Sequence, residues 1–171
     1  MFAADYPARP IRLVVPYLPG GAADIVGRIA AQKLTAALGA TVVVDNRPGA
    51  GGNLGTDLVA KAAPDGYTLL MGNVGPIAIN VSLYARLPYD PLKDFAPVSL
   101  LAVYPNVLVI HPALPAKSVG ELIAYVKARP GQIAYASSGA GSSTHLAAEL
   151  LRSMAKVDML HVPYKGLGPA I

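Results

Sequence analysis

The sequence predicts an α/β protein with mainly parallel sheets. Short runs of Val, Ile and Leu alternate with stretches whose apolar residues recur at helical spacing. Glycine and proline, with 17 and 16 residues, separate these runs and mark turns. Because strand–helix–strand units are joined by right-handed crossovers, neighbouring strands of such a chain lie parallel.

The first half of the chain predicts three strands and two helices. Residues 11–15 are almost continuously apolar, as expected of a strand covered on both faces. A helix is predicted over residues 23–38, with Gly39 as its C-terminal stop. Its apolar face is assigned to Val26, Ile29, Ala30, Leu34, Ala37 and Leu38. The remaining elements are a strand at 41–45, a helix at 54–62 and a strand at 68–71.

The middle of the chain predicts a surface path followed by a passage between sheets. Residues 75–97 are proline-rich and aperiodic, which indicates loops and short helical turns over the surface. Two strands are predicted at 98–103 and 107–111, with Pro105 between them.

The α/β alternation then restarts. Ser118 and Glu121 match a capping box that opens a helix, and Arg129-Pro130-Gly131 ends it. A strand at 133–137, a helix at 144–154 and a strand at 159–162 follow. We therefore divide the chain into a first lobe at residues 1–101 and a partial second lobe at residues 102–171.

The composition excludes several classes of protein. Hydrophobic residues make up 53% and charged residues 14%, which favours a folded core over disorder. No apolar stretch approaches the roughly 20 residues of a membrane span. The net charge is +4, but Lys and Arg are scattered, so we expect no nucleic-acid partner. The absence of cysteine suits an exported protein and is also common in the cytosol. The segment Met1–Pro7 fits the remnant of a small-side-chain cleavage site, with a native cytosolic start as the alternative.

Three loops share one design, with small residues after a parallel strand and directly before a helix. They are residues 19–24, 48–53 and 137–144. Helix N-termini present free N–H groups and a partial positive charge, so such loops bind phosphate or carboxylate. They also lie at the carboxyl ends of strands, where open α/β sheets place ligands. Any strand–helix connection needs small residues, but three such loops favour a cleft between two lobes.

Motifs for other chemistries are incomplete. Residues 48–56 lack the Gly-Lys-Ser/Thr ending of a nucleotide loop, and residues 139–144 carry only half of a dinucleotide fingerprint. A Ser143, His145 and Asp158 set has no nucleophile elbow to support it. The three histidines lie on separate elements without metal-ligand spacing. We therefore expect no metal, no cofactor and no catalytic residue.

Two charged residues, Arg47 and Asp24, lie in or beside the loops and could bind the ligand or stabilise the structure. Arg47 precedes the second loop and is either a direct carboxylate clamp or a surface residue that braces the loop through its carbonyls. Asp24 is expected in the first turn of its helix, where a carboxylate complements the dipole.

The motifs, in this order, resemble the solute receptors of tripartite tricarboxylate transporters, the Bug-type receptors. The resemblance rests on Val15-Pro16-Tyr17-Leu18-Pro19-Gly20-Gly21, Asp45-Asn46-Arg47-Pro48-Gly49-Ala50-Gly51-Gly52-Asn53, Ala63-Pro64-Asp65-Gly66-Tyr67-Thr68-Leu69, Tyr135-Ala136-Ser137-Ser138-Gly139, Gly141-Ser142-Ser143-Thr144-His145 and His161-Val162-Pro163-Tyr164-Lys165-Gly166. It implies a two-lobed periplasmic binding protein of type II, closing like a Venus flytrap. It also implies a small carboxylate ligand, membrane transporter subunits as partners and a periplasmic location.

The resemblance further implies which residues hold the ligand. On the first lobe they are Gly20, Gly21 and Ala22, with Asn73 at the end of the third strand. On the second lobe they are Ser138, Gly141, Ser142, Ser143 and Thr144. His145 is a neighbour of this group rather than a firm contact.

Members of that family continue beyond the point that corresponds to Ile171, so the second lobe is expected to be incomplete. We expect a chain of this length to self-associate or to keep its C-terminal segment mobile, and to bind ligand weakly. Two other functions use the same loops: a small-molecule enzyme with an oxyanion site, and a sensor that reads the ligand without transport.

Overall fold

The structure is a computed structural model that describes residues 6–171, so residues 1–5 of the predicted cleavage-site segment lie outside the described residues. Its first half contains three strands and two helices. They are β1 (Ile11–Val15), α1 (Ala22–Leu38), β2 (Val42–Asn46), α2 (Asn53–Ala60) and β3 (Thr68–Leu70). A short 3-10 turn at Ala50–Gly52 leads into α2. The predicted strand–helix order of this half is confirmed.

The three strands form one parallel sheet in the order β2-β1-β3. Ile11 lies opposite Val42, and Arg12 lies opposite Thr68. Four of the five residues of β1 are buried, because this strand is central and covered on both faces. It is the centre of the first hydrophobic cluster, which also contains Tyr17, Ala23, Ala31, Val42 and Met71.

Helix α1 contacts the sheet through small residues. Its buried positions are Ala23, Asp24, Gly27 and Ala31, whereas Ile29 is 55% exposed. A Cβ on Gly27 would lie 3.0 Å from Val15 Cγ2, so the helix and the sheet approach closely at that point. The predicted apolar face was therefore wrong at Ile29, Ala37 and Leu38, which the structure leaves exposed, while Val26 and Leu34 flank the contact.

The segment after β3 contains a π-helical turn (Gly75–Ile79) and a short helix, α3 (Asn80–Leu83). The predicted helical turns are confirmed, but the predicted surface path was wrong for Pro76, Asn80 and Tyr89, which are buried. Polar contacts hold them there. Asn80 Nδ2 donates to Asn53 Oδ1 at 2.6 Å, and the Tyr89 hydroxyl lies 2.8 Å from the Pro76 carbonyl oxygen.

Residues 98–111 form no strand, so the two strands predicted there were wrong. Strand structure requires a hydrogen-bonded neighbour, and within residues 6–171 no strand lies beside this segment. Most of its apolar side chains are consequently exposed, including Val98 at 88% and Val103 at 82%.

The second half contains α4 (Val119–Lys127), β4 (Ala134–Ser137), α5 (Ser143–Ala155) and β5 (Leu160–Pro163). Strands β4 and β5 pair in parallel from Ala134 opposite Leu160 onward. A second hydrophobic cluster is centred on Leu122, Val126 and Met159. Two sheets with separate clusters agree with a two-lobed α/β architecture, whereas the boundary after residue 101 stays a prediction.

The capping box of α4 is confirmed. Ser118 Oγ accepts a hydrogen bond from Glu121 N at 3.2 Å, and Glu121 Oε2 accepts one from Lys117 N at 2.6 Å. Helix α5 differs from α4 because none of its residues is fully buried, and Leu150 and Met154 are exposed. Among residues 6–171, no helix combines the length and hydropathy needed to span a bilayer.

Candidate functional site

A small cavity lies between the loop from β1 to α1 and the loop from β4 to α5. Its volume is about 40 Å³, larger than the roughly 10–15 Å³ that one water requires. From the first lobe it is lined by Tyr17, Gly21, Ala22, Ala23 and Asn73. These residues belong to the end of β1, the first turn of α1 and the chain after β3, which all lie at the carboxyl edge of the sheet.

The opposite wall of the cavity comes from the second half of the chain. Ser138 follows β4, Ser143 and Thr144 form the first turn of α5, and Gly166 and Leu167 follow β5. The small residues after each strand bring this wall close to the first lobe. A Cβ built on Gly21 would lie 3.8 Å from Leu167 N.

The segment between the two halves contributes Tyr104 and Asn106 to the cavity. The Asn73 side-chain amide donates to the Tyr104 hydroxyl oxygen at 3.3 Å, which ties the segment to the first lobe. Asn106 Nδ2 donates to the Ser143 carbonyl oxygen at 3.2 Å, which ties it to the second. One stretch of three residues therefore contacts cavity-lining residues of both halves.

Two helix N-termini face this cavity. Gly21 is the N-cap of α1 and provides no side-chain cap, so the first-turn N–H groups of Ala22 and Ala23, which line the cavity, have no partner within the helix. Ser142 is the N-cap of α5, and its Oγ accepts from His145 N at 3.2 Å. Both helices are longer than two turns, and their positive ends favour an anion in the space between them.

Asp24 holds the first loop in place from behind the cavity. Its carboxylate accepts hydrogen bonds from Gly20 N at 3.0 Å, from Arg28 Nε at 2.9 Å and from Asn46 Nδ2 at 2.9 Å. Burial opposes ionisation of Asp24, but these hydrogen bonds outweigh it and keep its pKa below the ordinary value. The carboxylate therefore anchors the loop, beyond the dipole role that its position predicts.

Six of the nine residues predicted for the site lie on the cavity wall. They are Gly21, Ala22, Asn73, Ser138, Ser143 and Thr144. The other three belong to the framework of the loops. The N–H of Gly20 is bound by Asp24, Ser142 is buried as the cap of α5, and Gly141 lies against the first lobe.

The second of the three loops, residues 48–53, contributes no residue to the cavity wall. It contacts the loop of residues 137–144 of the second lobe instead. A Cβ on Gly51 would lie 2.1 Å from the Ala140 carbonyl oxygen, and one on Gly139 would lie 3.4 Å from Gly51 Cα. The two backbones are thus in direct contact, which only residues without a side chain permit.

The Arg47 side chain lies outside the cavity wall. Its Nε is 2.9 Å from Asp45 Oδ1, and its backbone N–H donates to the Val15 carbonyl oxygen at 2.8 Å. This arrangement favours a structural role for Arg47 over the direct clamp, but among the described residues its side chain is hydrogen-bonded to the Asp45 carboxylate and not to the loop carbonyls.

The Ser143, His145 and Asp158 side chains do not assemble into a triad. Ser143 Oγ donates to Asn106 Oδ1 at 3.4 Å, and His145 Nδ1 accepts from Gly141 N at 3.2 Å. Asp158 Oδ1 lies 3.4 Å from Arg152 Nη2. Residues 6–171 also contain no group of three or more His, Cys, Asp and Glu side chains placed to hold a metal ion.

Sequence reasoning missed several wall residues, chiefly Tyr17, Tyr104, Asn106 and Leu167. A signal for two of them existed, since Tyr104 and Asn106 flank the proline that interrupts an apolar run. Burial, with Tyr104, Tyr89 and Tyr84 nearby, raises the pKa of Tyr17, so its hydroxyl stays protonated and donates to the Gly51 carbonyl oxygen at 3.2 Å. Among the described residues, none that lines the cavity carries a charged side chain.

Comparison with known proteins agrees with this geometry. Residues 26–171 match the family described as "Tripartite tricarboxylate transporter family receptor". Protein BugT of Bordetella pertussis is 49% identical over 99% of this chain. A structure described as "R. palustris Rpa4515 with adipate" superimposes with a TM-score of 0.94 at 42% identity over 97% of this chain. MatC from Rhodopseudomonas palustris with bound malate gives a TM-score of 0.91 at 38% identity over 96% of this chain.

The chain spans about half the length of the relatives it matches. It covers 52% of BugT, and 56% of each of the two R. palustris chains. The similarity therefore extends over nearly all of this chain, including the N-termini of α1 and α5, but over only about half of each relative.

Proposed function

Because the chain belongs to the tripartite tricarboxylate transporter receptor family, we propose that it captures a small carboxylate in the periplasm for delivery to a membrane transporter. In this proposal the ligand is bound reversibly and no bond is made or broken. The family consists of substrate-binding receptors, which supports binding rather than catalysis.

The convergence of two helix N-termini on one cavity carries the proposal. The first turn of α1 and the first turn of α5 approach it from opposite sides, and each offers backbone N–H donors with a partial positive charge. Hydroxyl groups of Ser138, Ser143 and Thr144 add donors or acceptors. A carboxylate satisfies such donors, whereas a neutral amide oxygen gains less from them.

The relatives support the ligand class. One neighbouring structure contains adipate and another contains malate, and both are dicarboxylates. The tyrosine rings and Leu167 in the cavity wall suit a short carbon chain between carboxylates. The description "periplasmic transporter" of another neighbour, at a TM-score of 0.94, supports the proposed compartment.

Calorimetry with acids and their neutral amides tests this function. Malate and adipate are each titrated into the protein beside the corresponding diamide, which keeps the chain length and removes the charge. We expect at least one acid to bind, and its diamide to bind at least about tenfold more weakly because charge-assisted hydrogen bonds are lost. Equal affinities of acid and amide would contradict the proposal, and turnover of either compound would support an enzyme instead.

A further inference from the structure

Two histidines are stacked directly behind the second-lobe loop. The ring centroids of His145 and His161 are 4.1 Å apart, with an angle of 15° between their planes. The Tyr135 ring covers the other face of His161 at 4.9 Å. The three rings come from α5, β5 and β4, so the stack joins every regular element that borders the loop.

A hydrogen bond from Gly141 determines the protonation state of His145 in this structure. The backbone N–H of Gly141 donates to His145 Nδ1 at 3.2 Å, which requires an unprotonated Nδ1. The imidazole is therefore neutral in this arrangement, with its proton on Nε2. Nε2 lies 3.9 Å from Glu149 Oε1, the nearest carboxylate oxygen.

A second contact holds the other end of the same loop. Ser137 Oγ accepts from Gly139 N at 3.1 Å and lies 2.7 Å from His161 Nε2. Residues 139–141 are thus attached to the two histidines at both ends, directly at Gly141 and through Ser137 at Gly139.

The attached loop is one part of the second lobe that contacts the first, and residues 165–167 are another. A Cβ on Gly141 would lie 1.9 Å from Asn80 Oδ1, and a Cβ on Gly75 would lie 2.8 Å from the Gly141 carbonyl oxygen. Gly141 also has a φ of +81°, so its N–H is presented to His145 by a backbone conformation that few other residues adopt.

We propose that His145 is a positioning residue whose neutral form holds the loop of residues 139–141 in the conformation that docks on the first lobe, and whose protonation releases it. A proton on Nδ1 converts the acceptor for Gly141 into a donor, so the two N–H groups then oppose each other. This inference deepens the proposed function, because the loop lies between Ser138 and Ser143 of the proposed carboxylate site, and it makes capture weaken in acid.

The charges around the stack permit such a switch. Glu149 faces His145 from the same helix, and Arg152 Nη1 lies 2.7 Å from Glu149 Oε1. The Tyr135 hydroxyl also donates to Glu149, and this bond, with Arg152, keeps the pKa of Glu149 below its ordinary value. Asp158 Oδ1 lies 3.4 Å from Arg152 Nη2. Glu149 therefore remains a carboxylate that can accept from a protonated His145.

Nuclear magnetic resonance tests the proposal without any ligand. In the 15N-labelled protein at about pH 7.5, long-range nitrogen–proton spectra should show the His145 proton on Nε2. Hydrogen exchange of the Gly141 amide should show protection that falls about tenfold on acidification to about pH 5.5, since one hydrogen bond is lost.

Two variants separate hydrogen bonding from stacking. His145→Asn places its Oδ1 where Nδ1 was and cannot titrate, so Gly141 protection should persist at both pH values. His145→Phe keeps a ring against His161 but has no acceptor, so protection should already be low at about pH 7.5. A proton on Nδ1 in the unaltered protein, or equal protection in the Asn and Phe variants, would overturn the proposal. The acid and amide titrations decide the proposed function separately, because exchange and tautomer are measured with no carboxylate present.

Discussion

Gly21 lies where the cavity meets the first turn of α1. Its φ of −83° is open to any residue, so conformational freedom does not explain a glycine at this position. The cavity in front of this residue explains the glycine instead. A Cβ would meet only Leu167, at 3.8–4.0 Å, whereas branches beyond that atom would occupy the cavity itself.

Gly21→Val should therefore remove carboxylate binding while the protein stays folded. We expect calorimetric affinity to fall at least about tenfold, and the free energy of unfolding in urea to fall by about 1 kcal/mol or less, since the change also touches an N-cap. Arg47→Ala is the matched control, because Arg47 pairs with Asp45 away from the cavity. Loss of binding in Arg47→Ala with retention in Gly21→Val would show that a side-chain clamp holds the ligand.

Loops were predictable where they follow a strand. The loops that contain Gly21, Ala22 and Ser138 were identified because small residues between a strand and a helix indicate a turn whose N–H groups are free, whereas the family resemblance implied the individual residues. Tyr104 and Asn106 were missed because their place depends on the path of the chain between two sheets. The proline between them marks a break in the apolar run, but a local break does not specify where the chain then lies.

The loop from β1 to α1 depends on the buried carboxylate of Asp24. Asp24→Asn retains the shape but replaces one acceptor by a donor and removes the charge that binds Arg28 and the Gly20 N–H. We expect the free energy of unfolding at neutral pH to fall by roughly 1–3 kcal/mol, measured by urea denaturation.

The pH dependence of Asp24→Asn provides a second measurement. Because the folded-state pKa of Asp24 is lowered from 3.8, its stabilisation is present above that value and is lost as pH falls through the folded pKa. The variant should therefore lose less stability than the unaltered protein on acidification below about pH 4. If both proteins lose the same free energy of unfolding below about pH 4, the role assigned to Asp24 is wrong.

Whole elements were predicted best where their signal is local. The bounds of β1 and the stop of α1 at Gly39 agree with the sequence prediction, because a central apolar strand and a left-handed glycine are encoded by adjacent residues. The face of α1 was predicted incorrectly because hydrophobic spacing favours Ile29, whereas close approach at Gly27 selects the small side chains. The two strands predicted at 98–103 and 107–111 were wrong because a strand needs a hydrogen-bonded partner strand, and local sequence does not show whether one is present.

Contact between the two halves of the molecule depends on glycine loops. Gly51→Ala would place a Cβ 2.1 Å from the Ala140 carbonyl oxygen, so the loops must separate and carboxylate affinity should fall at least about tenfold. Gly39→Ala is the matched control, since Gly39 has a φ of +67° against +63° for Gly51 and has no neighbour within 4 Å.

Both variants should lose about 1–2 kcal/mol of stability to the left-handed backbone, measured by urea denaturation. Only Gly51→Ala should change calorimetric affinity and expand the protein in small-angle scattering. Indistinguishable affinities of the two variants would show that this contact is irrelevant to capture.

We predict that exposed apolar side chains cause the 171-residue chain to associate. They occur on residues 98–109 and on α5, and include Leu100, Val103, Val109, Leu150 and Met154. We expect light scattering to report a mass above 17.6 kDa that grows with concentration. Val103→Lys combined with Val109→Lys should reduce it. A monodisperse monomer at high concentration would contradict this expectation.

The uncharged cavity wall has a consequence for how such receptors diversify. In the proposed function, backbone N–H dipoles neutralise the ligand, so its charge is met by atoms that every amino acid except proline possesses. Replacing Asn73, Asn106 or Ser143 by another neutral residue then alters which carbon skeleton fits without leaving a buried ion unmatched. Ligand preference can consequently drift through single substitutions, each of which keeps a working anion receptor.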